Sequence, residues 1–223
     1  MTSMTTFPRS TAAPGEATES LIRRFCEDLR PAESEPATRW LRPVVLAALA
    51  VTVLAVLGLR ADLARAVDAP LFWLKLGVTL WCGGGAMSGL SRLATPGAGT
   101  PRWTPILLPP LALLGAAMIM QLGGVPAGAG YWLGQSWRRC SLSIFLLALP
   151  PLGLLLHALR RQAPVYRGRT GLAAGVAAGG LAAASYALSC GETSAGFVLL
   201  WYGLGVAGSA LVGWILGPFM LRW

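Results

Sequence analysis

The sequence predicts an all-α fold: a polytopic bundle of six transmembrane helices preceded by a short cytoplasmic N-terminal segment. Of the 223 residues, 55% are apolar and only 12% are charged, and the mean hydropathy is +0.61. A soluble domain of this size has about a quarter of its residues charged. Six largely uncharged runs also approach the ~20 residues with which an α-helix crosses the hydrocarbon core of a bilayer.

The net charge of +9 is not clustered as a nucleic-acid surface would require. Residues 1–42 contain six Arg and six acidic side chains, so they are neutral overall. The excess lies in residues 43–223, where Lys and Arg occur singly or in pairs between apolar runs. This distribution is typical of membrane flanks. The sequence therefore predicts contact with a lipid bilayer and no direct binding of nucleic acid.

Residues 1–39 form the predicted cytoplasmic tail, and residues 40–223 the predicted membrane domain. The first 20 residues are rich in Thr, Ser, Ala and Pro, a composition that favours disorder. Over 19–30, four apolar side chains share one face of a predicted amphipathic helix: Leu21, Ile22, Phe25 and Leu29. A helix of about 12 residues is marginal in water, so this stripe needs a partner.

Two partners fit the tail helix. One is the bilayer surface, as for other interfacial helices, and the other is a groove on a soluble protein. The zero net charge of residues 1–42 disfavours the lipid alternative, because anionic headgroups attract polybasic helices.

The six predicted crossings alternate between the two sides of the membrane. They span 43–59, 71–90, 105–121, 140–159, 170–189 and 197–216. The first two are short, and we expect snorkelling at their ends to extend them, with Lys75 near the start of the second. With the N-terminus inside, thirteen Lys or Arg residues flank the cytoplasmic side and four the opposite side. The positive-inside rule therefore predicts that both termini are cytoplasmic.

Aromatic and small residues fit this arrangement. Large aromatic residues lie near predicted helix ends, where the headgroup zone favours them: Trp132, Trp137, Trp201, Tyr202 and Trp223. Glycines at a spacing of four predict close contact of the fifth helix with a neighbour: Gly171, Gly175 and Gly179, with Gly85/Gly89 and Gly213/Gly217 repeating the spacing.

Two of the four cysteines fall on the same membrane surface. Cys140 opens the fourth crossing and Cys190 closes the fifth, both on the oxidising, periplasmic side. They are either incidental helix-end thiols or a pair that senses oxidants or soft metals. For a metal, Glu192 would add an oxygen ligand. Arg138 and Arg139 would favour the thiolate of Cys140.

No catalytic pattern accompanies these thiols. The cysteines and the single histidine match neither a zinc signature nor a CxxC pair. Lys75 is the only Lys, Arg, Asp or Glu residue within a predicted crossing, and it lies close to one end. Because transporters usually have charged groups near the middle of the membrane, this disfavours transport. The sequence therefore predicts a protein that is not an enzyme and carries no cofactor.

The ordered set of short motifs resembles the NrsF-type anti-sigma factors. The motifs are Leu21-Ile22, Leu29 and Pro31, Arg60-Ala61-Asp62-Leu63, Cys140 with Ile144, Ala163-Pro164, Tyr186, Cys190 and Glu192, Trp201-Tyr202, and Leu221-Arg222-Trp223. They span most of the chain, and no single one is specific.

This resemblance implies a six-helix protein of the bacterial inner membrane that holds an extracytoplasmic-function sigma factor inactive. It assigns sigma-factor binding to the tail residues Leu21, Ile22 and Leu29, to which periodicity adds Phe25. It assigns the response to metal or oxidative stress to Cys140 and Cys190. The alternative is a membrane thiol-disulfide exchange protein or a transporter-like protein.

Overall fold

All regular secondary structure in the described residues is α-helical or π-helical. The computed structural model describes residues 14–28, 67–94, 101–123, 128–160, 162, 164–192 and 194–222. The chain divides into two units, Met1–Glu35 and Pro36–Trp223.

The helix of the first unit, α1, spans Pro14–Asp28. It begins five residues before the predicted start at Glu19, with Pro14 in the first helical position, where a proline loses no hydrogen bond. The expectation of disorder over residues 1–20 is therefore wrong for Pro14–Ser20. Leu29 and Pro31 lie outside the described residues.

The described residues of the second unit form five long helices and one short one. They are α2 Pro70–Ala94, α3 Thr104–Leu122, α4 Ala129–Leu133, α5 Trp137–Arg160, α6 Arg167–Ala187 and α7 Ala195–Met220. Each long helix contains most or all of one predicted crossing. The crossing predicted over 43–59 and the motif from Arg60 to Leu63 lie outside the described residues.

Four of these helical stretches are long and apolar enough to cross a membrane: Thr104–Leu122, Gly130–Arg160, Arg167–Ala187 and Ala195–Met220. They indicate a membrane protein. Helix α2 is longer than most, with 25 residues, but it is less apolar because it contains Lys75 and a run of glycines. Lys75 is 1% exposed, so the expectation that it lies at a snorkelling helix end is wrong.

Helix α6 forms the centre of the second unit. In the apolar stretch of α6, 83% of the residues are buried, whereas in that of α3 only 17% are. Helix α6 contacts α2, α5 and α7. Small side chains suit this position because three neighbours must approach one axis. The outer position of α3 leaves large apolar side chains such as Met120 exposed, as a lipid-facing helix requires.

The glycines predicted to line the fifth crossing lie in the contact between α6 and α7. A Cβ atom on Gly175 would lie 2.6 Å from the Cα of Ala210, and one on Gly217 would lie 2.6 Å from the carbonyl oxygen of Arg167. The Ser209 hydroxyl also donates to the Gly175 carbonyl at 3.0 Å. The prediction of close helix contact is confirmed.

The opposite side of α6 packs closely against α2. A Cβ on Gly180 would lie 2.6 Å from the backbone nitrogen of Gly83. Gly85 faces Ile106 of α3. Gly89 faces Trp103, the residue that precedes α3.

Successive long helices alternate in direction. Three contacts show that the starts of α2, α5 and α7 and the ends of α3 and α6 meet at one end. They join Lys75 to Cys190, Gln135 to Glu192 and Gln121 to Ala195. We call this end the cysteine end. Helix α7 contains 26 residues, about 39 Å of rise, so the chain finishes at the opposite end.

Candidate functional site

The two cysteines predicted to share a membrane surface meet at the cysteine end. Cys140 lies in the first turn of α5 and is fully buried, and Cys190 follows the end of α6 and is 4% exposed. Each backbone N–H is held by a preceding turn, Cys140 by the Ser136 carbonyl and Cys190 by the Tyr186 carbonyl, both at 3.0 Å. Both thiols are free, and they lie close enough for each to affect the protonation of the other.

Lys75 fixes the segment that contains Cys190. Its ammonium group donates to the carbonyl oxygen of Cys190 at 2.9 Å and to that of Glu192 at 2.8 Å. The nitrogen also lies 5.7 Å from the centroid of the Tyr202 ring. A buried ammonium ion requires such partners because the protein interior does not solvate its charge.

Polar groups from two further elements surround the Cys190 sulfur. The Ser136 hydroxyl oxygen lies 4.0 Å from it. The Tyr202 hydroxyl is buried beside it without a hydrogen bond of good geometry. We define the dithiol site as Cys140, Cys190, Lys75, Ser136 and Tyr202.

Tyr202 enters this site through an irregular stretch of α7. Residues Val198–Tyr202 form one π-helical turn between Ala195–Phe197 and Gly203–Met220. Such a turn inserts an extra residue and is frequent at functional positions. Tyr202 is 2% exposed, so the prediction that it lies in the headgroup zone is wrong.

Two short segments cover the dithiol site: residues 128–136, and residues 191–192 with 194–196. The backbone N–H of Gln135 donates to the Glu192 carboxylate at 2.8 Å. Ser194 donates to the Tyr131 carbonyl at 2.9 Å and accepts from the Phe197 N–H at 3.2 Å, so it also caps α7. These bonds join the two segments next to the buried cysteines.

The Trp residues predicted at helix ends support the covering segments. The Trp201 indole N–H donates to the Trp132 carbonyl at 2.7 Å, and the Trp137 and Trp201 rings lie 5.0 Å apart. Both indoles are partly exposed.

The local charge favours the thiolate of Cys190. The hydrogen bond from Cys140 lowers the pKa of Cys190, and the positive charge of Lys75 and the N–H of Glu192 lower it further, against the effect of burial. Cys190 is therefore the more acidic thiol of the pair.

The first unit presents the predicted apolar stripe to solvent. Leu21 and Ile22 are each 55% exposed and Phe25 is 66% exposed. Three large apolar side chains on one face of a short helix are unusual on a surface that stays exposed to solvent. They are typical of an interaction site. Leu29, assigned to the same stripe, lies outside the described residues.

Comparison with known proteins decides the family. The family described as "Negative regulator of sigma F" (NrsF) matches residues 25–223. The chain belongs to the NrsF family. It is 35% identical over 212 residues to the anti-sigma-F factor NrsF of Caulobacter vibrioides, covering 92% of this chain and 99% of that protein.

A second NrsF relative gives a similar result. The probable anti-sigma-F factor NrsF of Azospira oryzae is 36% identical over 174 residues, covering 77% of this chain and 81% of that protein. No solved structure matches the chain.

The geometry of this NrsF-family site gives little support to a metal centre. Among the described residues, no group of three His, Cys, Asp or Glu side chains lies close enough to hold a metal ion. The Glu192 carboxylate, the suggested third ligand, accepts the Gln135 N–H instead. The two thiols alone would have to provide any soft-metal site.

The cation beside the dithiol is not the one that the sequence suggested. Arg138 and Arg139 are exposed, and the Arg138 guanidinium lies over the Trp137 ring, 4.8 Å from its centroid. Lys75 takes their place from α2. The sequence shows Lys75 as an unusual intramembrane charge. Its contact with Cys190 could not be predicted, because the two residues are 115 positions apart in the chain.

Proposed function

We propose that this NrsF-family chain is an anti-sigma factor of the bacterial inner membrane that holds an extracytoplasmic-function sigma factor inactive. It crosses the membrane six times, with both termini in the cytoplasm. Residues 1–39 form the sigma-binding tail and residues 40–223 the membrane domain. It works by binding rather than by catalysis, and needs no cofactor or direct contact with nucleic acid.

The exposed stripe of α1 carries this proposal. Leu21, Ile22 and Phe25 form the binding surface, and Leu29 extends it along the chain. Complete burial of a side chain of this size stabilises a complex by about 1.5 to 3 kcal/mol. A helix that lays such a stripe into a groove of the sigma factor competes directly with RNA polymerase for that surface.

The dithiol site supports the second half of the proposal, which is release under oxidative or metal stress. Cys140 and Cys190 share the cysteine end with a buried lysine, whereas the chain finishes at the opposite end. In the proposed orientation the thiols therefore face the periplasm and the tail faces the cytoplasm. Reaction of the thiols changes the contacts of α2, α5 and α6 at once, because each provides a residue or an end to the site.

Signal transmission requires a difference in sigma affinity between the two thiol states. A coupling free energy of about 1 to 3 kcal/mol changes that affinity five- to 150-fold. The glycine contact between α6 and α7 is a suitable element to transmit the signal, because both helices extend between the cysteine end and the proposed cytoplasmic end.

Co-purification tests the binding half. The detergent-solubilised protein is expected to retain its candidate sigma factor, and deletion of residues 1–39 to abolish retention. The triple variant Leu21→Ala, Ile22→Ala, Phe25→Ala is expected to behave like the deletion. Retention of the sigma factor by the triple variant would contradict the assignment.

A matched control is available on the opposite face of α1. The double variant Arg23→Ala, Glu27→Ala removes two exposed side chains without changing the net charge and is expected to bind normally. Equal loss in both variants would indicate that helix formation, and not the apolar stripe, determines binding.

The alternative, a membrane thiol-disulfide exchange protein, has the dithiol in its favour. Exchange with a protein substrate needs an accessible attacking sulfur, whereas Cys140 is fully buried and Cys190 is 4% exposed. Absence of sigma binding by the intact chain, together with rapid reduction of a peptide disulfide, would favour this alternative.

A further inference from the structure

We propose that Cys190 is the peroxide-reactive thiol of this protein, that Cys140 converts the product to an intramolecular disulfide, and that Lys75 is the positioning residue for both steps. This inference rests on the sensing role proposed above for the dithiol. It assigns a chemical class of oxidant, an order of reaction and a role for a residue that no sequence motif marks.

The surroundings of the two sulfurs are unequal. The Ser136 hydroxyl oxygen lies 4.0 Å from the Cys190 sulfur and the buried Tyr202 hydroxyl lies beside it. The Lys75 ammonium group binds the Cys190 carbonyl at 2.9 Å, and its charge favours a negative charge on the Cys190 sulfur. A sulfur surrounded by donors is the one that carries negative charge, and the thiolate is the nucleophilic form.

Lys75 provides both position and charge. It binds the carbonyl of Cys190 itself and that of Glu192, so the backbone on both sides of residue 191 is anchored to α2. The ammonium charge also stabilises the thiolate across the site.

Burial limits the oxidant to a small molecule. Cys140 is fully buried and Cys190 nearly so, and the segments 128–136, 191–192 and 194–196 meet beside them. A protein disulfide or a large electrophile does not reach the sulfurs, whereas hydrogen peroxide is about as small as two water molecules. The two thiols lie close enough to shift each other's pKa, as a pair that is to form a disulfide requires.

The proposed reaction is balanced with one peroxide. The Cys190 thiolate attacks one peroxide oxygen, the O–O bond breaks, and hydroxide leaves and takes up the proton lost from the Cys190 thiol. Cys190 is then a sulfenic acid. The Cys140 sulfur attacks the Cys190 sulfur, the S–S bond forms, and the S–O bond breaks to release a second water with the Cys140 proton. Two thiols supply the two electrons that reduce one peroxide to two waters.

Trapping of the sulfenic acid tests the order of reaction in the purified, detergent-solubilised protein without any sigma factor. After treatment with hydrogen peroxide and then unfolding in SDS with dimedone present, so that burial does not exclude the probe, Cys140→Ser is expected to carry the label on Cys190, located by mass spectrometry. Cys190→Ser is expected to carry none on Cys140, and the unmodified protein to form the intramolecular disulfide. Label on Cys140, or on neither cysteine, would overturn the proposal.

The role of Lys75 is tested by the rate of disulfide formation. Lys75→Met keeps the side-chain length without donors or charge, and is expected to slow the reaction at least about tenfold, the effect of 1.4 kcal/mol on a barrier. Arg138→Gln is the control, because it removes an exposed cation at the same end that lies over Trp137. It is expected to leave the rate unchanged.

The direction of the change separates positioning from simple loosening. A loosened site exposes both thiols and speeds their reaction, so a faster rate in Lys75→Met would overturn the assignment. If Lys75→Met fails to fold, Lys75→Gln replaces it, because the amide keeps a donor for the backbone carbonyls but has no charge, and it is expected to slow disulfide formation as well. Ser136→Ala tests the donors around the Cys190 sulfur separately, and is expected to slow labelling of Cys190 in the Cys140→Ser background. An unchanged rate there would contradict the donor arrangement. Because no sigma factor is present, these results are independent of whether the tail binds one.

Discussion

Replacement of Gly175 by alanine is expected to destabilise the membrane domain, although alanine is intrinsically the better helix former. The new Cβ would lie 2.6 Å from the Cα of Ala210 and 2.8 Å from the carbonyl carbon of Ser209. Both are backbone atoms of α7, so no side-chain rotation relieves the contact and the two helices must separate. Overpacking of this kind costs about 1 to 3 kcal/mol, against a gain of about 0.5 to 1 kcal/mol in helix propensity.

The control variant, Gly84→Ala, is expected to change the free energy of unfolding in the opposite direction. Gly84 lies in α2, and a Cβ there would meet nothing within 4 Å, so Gly84→Ala retains the propensity gain alone. Unfolding is measured by SDS titration in mixed micelles and monitored by circular dichroism. We expect the free energy of unfolding to fall by about 1 kcal/mol or more in Gly175→Ala and to rise by about a few tenths of a kcal/mol or more in Gly84→Ala. Stabilisation by both substitutions would refute the close contact between α6 and α7.

Three further predictions concern the cysteine end. Ser194→Ala removes the cap of α7 and is expected to cost about 1 kcal/mol in the same titration, and an unchanged free energy of unfolding would contradict the cap. Gly134 has φ +56°, and its Cβ would lie 2.7 Å from the Phe197 ring, so Gly134→Ala is expected to open the cover and speed alkylation of the thiols by a small maleimide; a slower reaction would contradict the covering role. The double variant Cys140→Ser, Cys190→Ser is expected to abolish induction of the sigma-dependent genes by peroxide in cells, and normal induction would exclude the dithiol as the sensor.

Hydrophobic length and small-residue spacing predicted the membrane domain well, because both are imposed by the bilayer and by close helix contact. The five predicted crossings within the described residues are all helices, and Gly171, Gly175 and Gly179 face α7 as expected. The boundaries moved by a few residues, because helix ends depend on caps and loop contacts such as that of Ser194 and not on apolarity.

The dithiol site was predictable only in part. Alternation of the crossings placed Cys140 and Cys190 on one surface, but it did not bring them into contact. Lys75 and Tyr202 were interpreted as interfacial residues from their positions near helix ends. Their burial depends on tertiary features: the partner carbonyls lie over 100 residues from Lys75, and a π turn orients Tyr202. Neither feature leaves a local pattern in the sequence.

The most direct test of the account compares sigma-factor affinity between the two thiol states of one protein. The detergent-solubilised chain is titrated with its purified candidate sigma factor, first with Cys140 and Cys190 reduced and then after peroxide has joined them. The account predicts tight binding in the reduced state and binding five- to 150-fold weaker in the disulfide state. It also predicts no such change in the Cys140→Ser, Cys190→Ser variant. Equal affinities in the two states would contradict the account, because a sensor that does not alter the affinity of the tail cannot release the sigma factor.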